Sequence, residues 1–224
     1  MENTICTNDI EIIFEDKDIL VINKPVGILS ENSQKGEKGI LTYLQNENRK
    51  DLHLLHRLDR EVGGVMVFAK NKKSASALST DIANGKFYKS YLAVTDGIPE
   101  NNEGVYKDLL FKDSKKNRSF VVNRMRTGVR EASLEYVVLK KNEKNALVRV
   151  LLHTGRTHQI RVQFSSRKTP LTGDGRYGSK IRDCSIALHS HKISFNHPRT
   201  NEAVEFISNP DFNIYPWNVG ENNA

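Results

Sequence analysis

His56-Arg57-Leu58-Asp59-Arg60-Glu61-Val62-Gly63-Gly64 runs directly into Val65-Met66-Val67-Phe68-Ala69, and this junction of charged loop and apolar run governs the reading of the whole chain. The apolar run after the paired glycines predicts a strand. The glycines themselves allow another backbone or a ligand to approach closely. Asp59 is set among His56, Arg57 and Arg60. Arginines within a few ångströms lower a carboxyl pKa by ~1 to 3 units, which suits a nucleophile better than a general acid. An Arg-Asp pair in a loop is also the ordinary form of a surface ion pair. The stretch therefore needs support from the rest of the chain.

Outward from this junction the chain reads as strand-rich. Runs at Ile10 to Phe14, Ile19 to Ile22, Tyr88 to Val94, Phe120 to Val122, Ala132 to Leu139, Ala146 to Leu152, Ile186 to Ile193 and Ala203 to Ile207 predict further strands. Asp16-Lys17-Asp18 and Lys141 to Asn145 are short, turn-rich links, so the sheet is expected to be largely antiparallel. Lys72 to Asn84 places Ala75, Leu78 and Ile82 on one helical stripe, with Asn71 as N-cap and Gly85 as the stop. Ile40, Leu41 and Leu44 mark a short helix. Thr157 is expected to cap another that carries Ile160 and Phe164, with Gln159 and Arg161 off its buried stripe. The predicted class is α+β, one domain with room for a cleft between two sheet halves.

The composition narrows the partners. At roughly 150 residues per domain, 224 residues make one large domain or two small lobes. A mean hydropathy of -0.54 and 38% apolar residues describe a globular chain rather than a disordered or membrane-spanning one. The longest apolar runs fall far below the ~18 residues needed to span a bilayer, and the start lacks a basic-then-apolar signal pattern, so a cytoplasmic location is expected. Cys6 and Cys184 form no CxxC and no disulfide framework. The net charge is +7, unevenly spread. Lys112, Lys115, Lys116, Arg118, Arg124, Arg126 and Arg130 outnumber Asp113 and Glu131 between positions 112 and 131, whereas residues 201 to 224 contain no Lys or Arg. Such asymmetry suits a polyanion, with RNA or DNA the leading class.

Other motifs are weaker. Gly155, in His153-Thr154-Gly155-Arg156-Thr157-His158, leads into a predicted helix whose start could hold a phosphate beside Arg156. No GxxxxGK[ST] loop or GxGxxG unit supports nucleotide or dinucleotide chemistry, and no nucleotide cofactor is expected. His189 and His191 form an H-x-H that could join His56, His153, His158, Asp59 or Asp174 around a metal, but no ligand spacing fixes such a site and none is expected. Tyr91 shares a strand face with Lys89 and Ala93, where its ring could stack on a base or simply pack.

Taken together, these residues resemble the RluA-type pseudouridine synthases. His56-Arg57-Leu58-Asp59 ahead of Gly63-Gly64 and a strand ending Ala69-Lys70 is similar to that family's catalytic motif. Asn23-Lys24-Pro25-Val26-Gly27 resembles its lysine-proline-x-glycine element, and Lys89-Ser90-Tyr91-Leu92-Ala93-Val94 with Gly97 its lysine-x-tyrosine strand. Thr154 through Val162, with Gly173-Asp174 and Tyr177-Gly178, resembles the glycine-arginine-threonine-histidine-glutamine element and its continuation. Leu188-His189 and His197-Pro198 fit the end of the pattern, so the likeness extends from about Ile10 to Ile207.

The resemblance implies a pseudouridine synthase catalytic fold over residues 8 to 210, a mixed, mainly antiparallel sheet with helices around a central cleft and no separate N-terminal RNA-binding domain. It implies isomerisation of a uridine already in RNA, ribosomal or transfer, without a cofactor; a monomer is expected from the lack of an obvious apolar association segment. Asp59 becomes the catalytic carboxylate, Arg161 the cation that keeps it ionised, and Tyr91 the ring against the base. Arg57 would hold the RNA or fill the gap left by an extruded nucleotide. Further RNA contacts are implied for Lys24, His56, Arg60, Arg156, His158 and Gln159, with Lys115, Lys116, Arg118, Arg124 and Arg126 gripping phosphates outside the site. Val62-Gly63 stands where many members have threonine-serine, and Gln163 where a histidine commonly occurs. These departures keep an inactive RNA-binding protein on the same scaffold as the alternative. A metal-dependent hydrolase built on His189 and His191 is a third reading.

Overall fold

The computed structural model describes residues 10 to 45 and 49 to 220; Cys6 lies outside them. The chain divides into two compact units, Met1–Tyr88 with Ser190–Asn209 and Lys89–His189 with Pro210–Ala224.

In the first unit, strands β1 (Glu11–Glu15) and β2 (Ile19–Lys24) form the expected antiparallel hairpin. Asp16 makes the turn, its Oδ1 accepting the N–H groups of Asp18 and Ile19 at 2.8 Å each. The two-residue strand β3 (His53–Leu54) and β2 both pair with β4 (Gly63–Ala69), with Ile19 opposite Ala69 and Lys24 opposite Gly64. All seven β4 residues are buried, because a central strand covered on both faces has no solvent side on which to place polar groups. β10 (Leu188–Asn196) lies next to β4 and pairs with β11 (Ala203–Ile207). Helix α1 (Ile40–Leu44) is as predicted. Helix α2 (Lys72–Ala83) is capped by Asn71, whose side chain accepts from Ser74 N–H at 2.9 Å. The core joins Ile19, Val21, Val65, Val67, Leu78, Phe87, Ile193 and Phe195, with the Phe87 and Phe195 rings stacked at 5.1 Å.

The second unit is an antiparallel sheet in the order β5 (Tyr88–Asp96), β9 (Asn145–Leu152), β8 (Val129–Lys141), β6 (Glu103–Asp113), β7 (Arg118–Val122). β6 was not predicted. Lys107 and Asp108 interrupt its apolar pattern and Val105 faces solvent, so its alternation is hidden in the sequence. Helix α3 (Gln159–Ser166) and a single 3-10 turn (Gly175–Tyr177) complete the unit. Its cores gather Leu92, Val94, Leu147, Ala187 and Val219 in one cluster, and Leu110, Ala132, Val162 and Tyr177 in another.

The start of α3 corrects the sequence reading. The cap position is His158, in the left-handed region at φ 53°, and not Thr157. Every residue from Gln159 to Phe164 is buried, so Gln159 and Arg161 are not off the buried stripe. Their polar groups tolerate burial because each has a partner. Among the described residues no helix is long and apolar enough to cross a membrane.

Candidate active site

Within the first unit, the loop carrying Asp59 is fixed from several sides. Leu58 is buried, and Ser30 staples it twice: the Ser30 hydroxyl donates to Leu58 O at 2.8 Å and accepts from Leu58 N–H at 3.0 Å. Val62 N–H donates to Asp59 O at 3.0 Å, and Gly27 N–H to Arg60 O at 2.8 Å. His56 Nε2 accepts from Val67 N–H at 3.2 Å, with the ring 5.8 Å from that of Phe87. His56 thus anchors the loop to β4 with a half-buried ring.

Lys24 requires a clearer correction. It was expected on the RNA, yet only 1% of it is exposed. Its Nζ donates to Pro25 O at 2.9 Å and lies 3.5 Å from Arg60 O. Burial holds its pKa down at about 8, while the carboxylates of Asp59 and Glu61 pull it upward and Arg60 opposes them. A buried ammonium therefore lies within electrostatic reach of Asp59.

The glycines between loop and strand have steric reasons. Gly64 sits at φ +110°, and a Cβ there would stand 2.2 Å from Ser190 O. A Cβ on Gly63 would meet Lys24 O and Val26 Cγ2, both at 3.1 Å. Gly63, one of the family departures, is thus matched by the Val26 side chain.

In the second unit, Tyr91 projects from β5 opposite Val150 of β9 and is 6% exposed. Lys89, two residues earlier on that face, has its pKa lowered by burial, and its Nζ is 3.3 Å from where a Cβ on Gly155 would be. Arg161 donates from Nε to Asp174 Oδ2 at 2.6 Å and from Nη2 to Oδ1 at 3.0 Å, and both side chains are almost fully buried. Asp174 also accepts from Tyr177 N–H at 3.3 Å. The Tyr177 ring carries guanidinium groups of Arg161 at 5.1 Å and Arg118 at 5.0 Å from its centroid. Its hydroxyl accepts from Ser119 N–H at 2.8 Å and lies 3.0 Å from His158 Nδ1. Asp174, named from the sequence only as a metal candidate and part of a motif, is the residue that positions Arg161.

Gln159 is the other RNA contact that the structure reassigns. Its amide donates to Ser133 O at 3.1 Å and accepts from the Thr154 hydroxyl at 2.8 Å and from Arg156 N–H at 3.0 Å. It clamps the loop after β9 onto β8 and is 3% exposed. Arg156 remains exposed, its Nε donating to Glu131 O. Lys115, Lys116, Arg124 and Arg126 are exposed on and after the β6–β7 hairpin, whereas Arg118 is half-buried between the Phe120 and Tyr177 rings. Gln163 donates to Asp108 Oδ2 at 2.7 Å and to Tyr106 O at 3.2 Å, so this departure has a packing role.

The histidine pair does not converge on a metal-ligand set. His189 packs against Trp217, and His191 Nδ1 lies 3.1 Å from Ser208 O. Among the described residues, ligand atoms converge at Asp16, Asp18 and His197. Their oxygens already serve protein partners: Asp18 accepts from Arg199, Asn71 and Ser74, and Asp16 makes the β1–β2 turn and pairs with His197.

Comparison with known proteins gives the family. Residues 18 to 166 match the family model described as RNA pseudouridylate synthase. An uncharacterised RNA pseudouridine synthase of Bacillus subtilis, YlyB, is 32% identical over 209 residues, covering 88% of this chain and 68% of that protein. Ribosomal large subunit pseudouridine synthase C of Buchnera aphidicola subsp. Schizaphis graminum is 32% identical over 210 residues, covering 88% and 66%. The chain thus spans about two thirds of the length of these curated relatives. Human RNA pseudouridylate synthase domain containing 4 superposes with a TM-score of 0.76 at 26% identity, over 90% of this chain and 89% of that one. The chain belongs to the RNA pseudouridylate synthase family. Its reaction is the isomerisation of uridine in RNA to pseudouridine.

Proposed function

We propose that Asp59 is the catalytic carboxylate, that Arg161 and Tyr91 act with it, and that the substrate is a uridine of ribosomal RNA. The observation that carries the first part is the mounting of Asp59: a loop stapled by Ser30, with the buried Lys24 ammonium within electrostatic reach of the carboxylate. The reaction breaks the bond from C1′ to N1 and forms one from C1′ to C5; the proton on C5 leaves and N1 gains one, so no redox partner is needed. Asp174 holds the Arg161 guanidinium in place for this role. Tyr91 supplies a ring for the target base, which must leave its stack to be reached. Arg57, Arg60, Arg156 and His158 contact RNA near the site, and Lys115, Lys116, Arg118, Arg124 and Arg126 bind phosphates farther out.

Ribosomal rather than transfer RNA is supported by relatives named ribosomal large subunit pseudouridine synthase C. Residues 8 to 210 act as the catalytic domain, in the cytoplasm and as a monomer. The test is a chemical map of pseudouridine across total RNA from cells expressing the protein, its Asp59→Asn variant, or neither. The expected result is signal at one or a few large-subunit ribosomal uridines that requires Asp59. Identical maps in all three would favour an RNA binder without turnover, and signal confined to transfer RNA would overturn the substrate.

A further inference from the structure

The two arginines that flank Asp59 are both occupied by glutamates from one loop. Arg57 Nη1 donates to Glu31 Oε1, and Arg60 Nη2 donates to Glu37 Oε2 at 2.5 Å. All four side chains are substantially exposed, at 42 to 59%. In each pair one guanidinium nitrogen donates to its glutamate.

The glutamates do not reach the arginines by chance of a loose loop. Ser30, next to Glu31, is bonded to both the N–H and the carbonyl of Leu58, next to Arg57. Ile40 N–H donates to Leu29 O and closes the base of the loop. Gly39 N–H and the Thr42 hydroxyl both donate to Asn32 Oδ1, at 2.8 and 2.7 Å. Gly39 and Glu31 touch backbone to backbone, since a Cβ on Gly39 would fall 2.3 Å from Glu31 C. At the tip, Ser33 N–H donates to Glu37 O, and the Ser33 hydroxyl accepts from Glu37 N–H at 3.1 Å. The segment from residue 29 to 39 is therefore a built frame that presents two carboxylates to Arg57 and Arg60.

We propose that Glu31 and Glu37 form an electrostatic latch: they hold Arg57 and Arg60 in the free enzyme, and RNA phosphates displace them when substrate enters. The inference rests on the reading above that Arg57 and Arg60 contact RNA. A carboxylate and a phosphate oxygen present the same acceptor, so the two compete for the guanidinium N–H that each glutamate occupies. Exposed pairs of this kind are weak enough to exchange, yet their loss on binding subtracts from the affinity for every RNA. An RNA able to offer phosphates to both arginines at once recovers that loss, whereas one that reaches only a single arginine does not. Glu31 and Glu37 are thus positioning residues that set a threshold for substrate RNA.

The test is a set of two double-mutant cycles on the full chain. Binding of a short fluorescein-labelled RNA stem-loop with a uridine loop is followed by anisotropy for wild type, Glu31→Gln, Glu37→Gln, Arg57→Gln, Arg60→Gln, and the doubles E31Q/R57Q and E37Q/R60Q. Each glutamate variant is expected to bind roughly 1.4- to five-fold more tightly, from the ~0.2 to 1 kcal/mol of an exposed pair, with the gain shrinking as KCl rises. In the doubles the gain disappears, because no arginine remains to be freed. An equal gain with and without the arginine would mean general removal of negative charge and would overturn the latch. Arginine variants that weaken binding, beside glutamate variants that change nothing, would overturn the latch while sparing the RNA contacts. Arginine variants without effect would remove both.

Discussion

Replacing Asp174 by Asn keeps the shape of the side chain and removes the charge that Arg161 is paired with. Only 4% of Arg161 and none of Asp174 is exposed, and the pair is bidentate at 2.6 and 3.0 Å. Taking one partner from a buried ion pair costs about 3 to 5 kcal/mol, because the remaining charge is left uncompensated. The amide oxygen can still accept one hydrogen bond, so we expect the lower end, about 3 kcal/mol. For a protein of this size about 1 kcal/mol moves Tm by roughly 2 to 4 °C, and the variant should melt roughly 6 to 12 °C below wild type. The assay is a thermal melt by circular dichroism, beside turnover of uridine in substrate RNA, which should also fall as Arg161 loses its position. The double variant Arg161→Met, Asp174→Leu removes both charges and should melt above the single D174N, although it should be inactive. A D174N protein melting within about 2 °C of wild type, or a double variant that sums the losses of the two singles, would refute the assignment of Asp174 as the group that holds Arg161.

Two further outcomes follow from the first unit. Lys24 has a folded pKa of about 8 against an ordinary 10.5. Between these values the unfolded chain binds a proton that the folded one does not, so stability should rise with pH across this window, by about 3 kcal/mol in all, and the rise should be absent in Lys24→Met. Above pH 8 the loss of the ammonium near Asp59 should also give an alkaline limb in turnover that K24M lacks; chemical denaturation and pH-rate profiles test the two. Gly64→Ala places a Cβ 2.2 Å from Ser190 O at φ +110° and should cost about 4 kcal/mol in a urea melt. Gly27→Ala, at φ +96° with nothing within 4 Å, should cost only about 1 kcal/mol, and equal losses at both sites would show that close approach is not the reason for Gly64.

The sequence by itself determined most strands, both larger helices and the stretch that bears Asp59. Those features rest on local physics: period-2 alternation in β8, apolar runs in β4 and β9, and an asparagine cap with a glycine stop around α2. Tertiary structure alone decided which polar residues are buried. Lys24 and Gln159 look like surface RNA contacts in one dimension, since a lysine between Asn23 and Pro25 and a glutamine after His158 carry no mark of burial. Their partners, Pro25 O and Arg60 O for one and Ser133, Thr154 and Arg156 for the other, include groups brought near by strand pairing and a loop clamp. β6 escaped for the same reason: Asp108 interrupts its pattern but is satisfied by Gln163 and Arg167, residues more than fifty positions away. The role of Asp174 and the pairing of Glu31 and Glu37 with the arginines beside Asp59 likewise depend on distance in space. Charge and periodicity are written along the chain, whereas the partner that makes a buried charge tolerable is set by the fold.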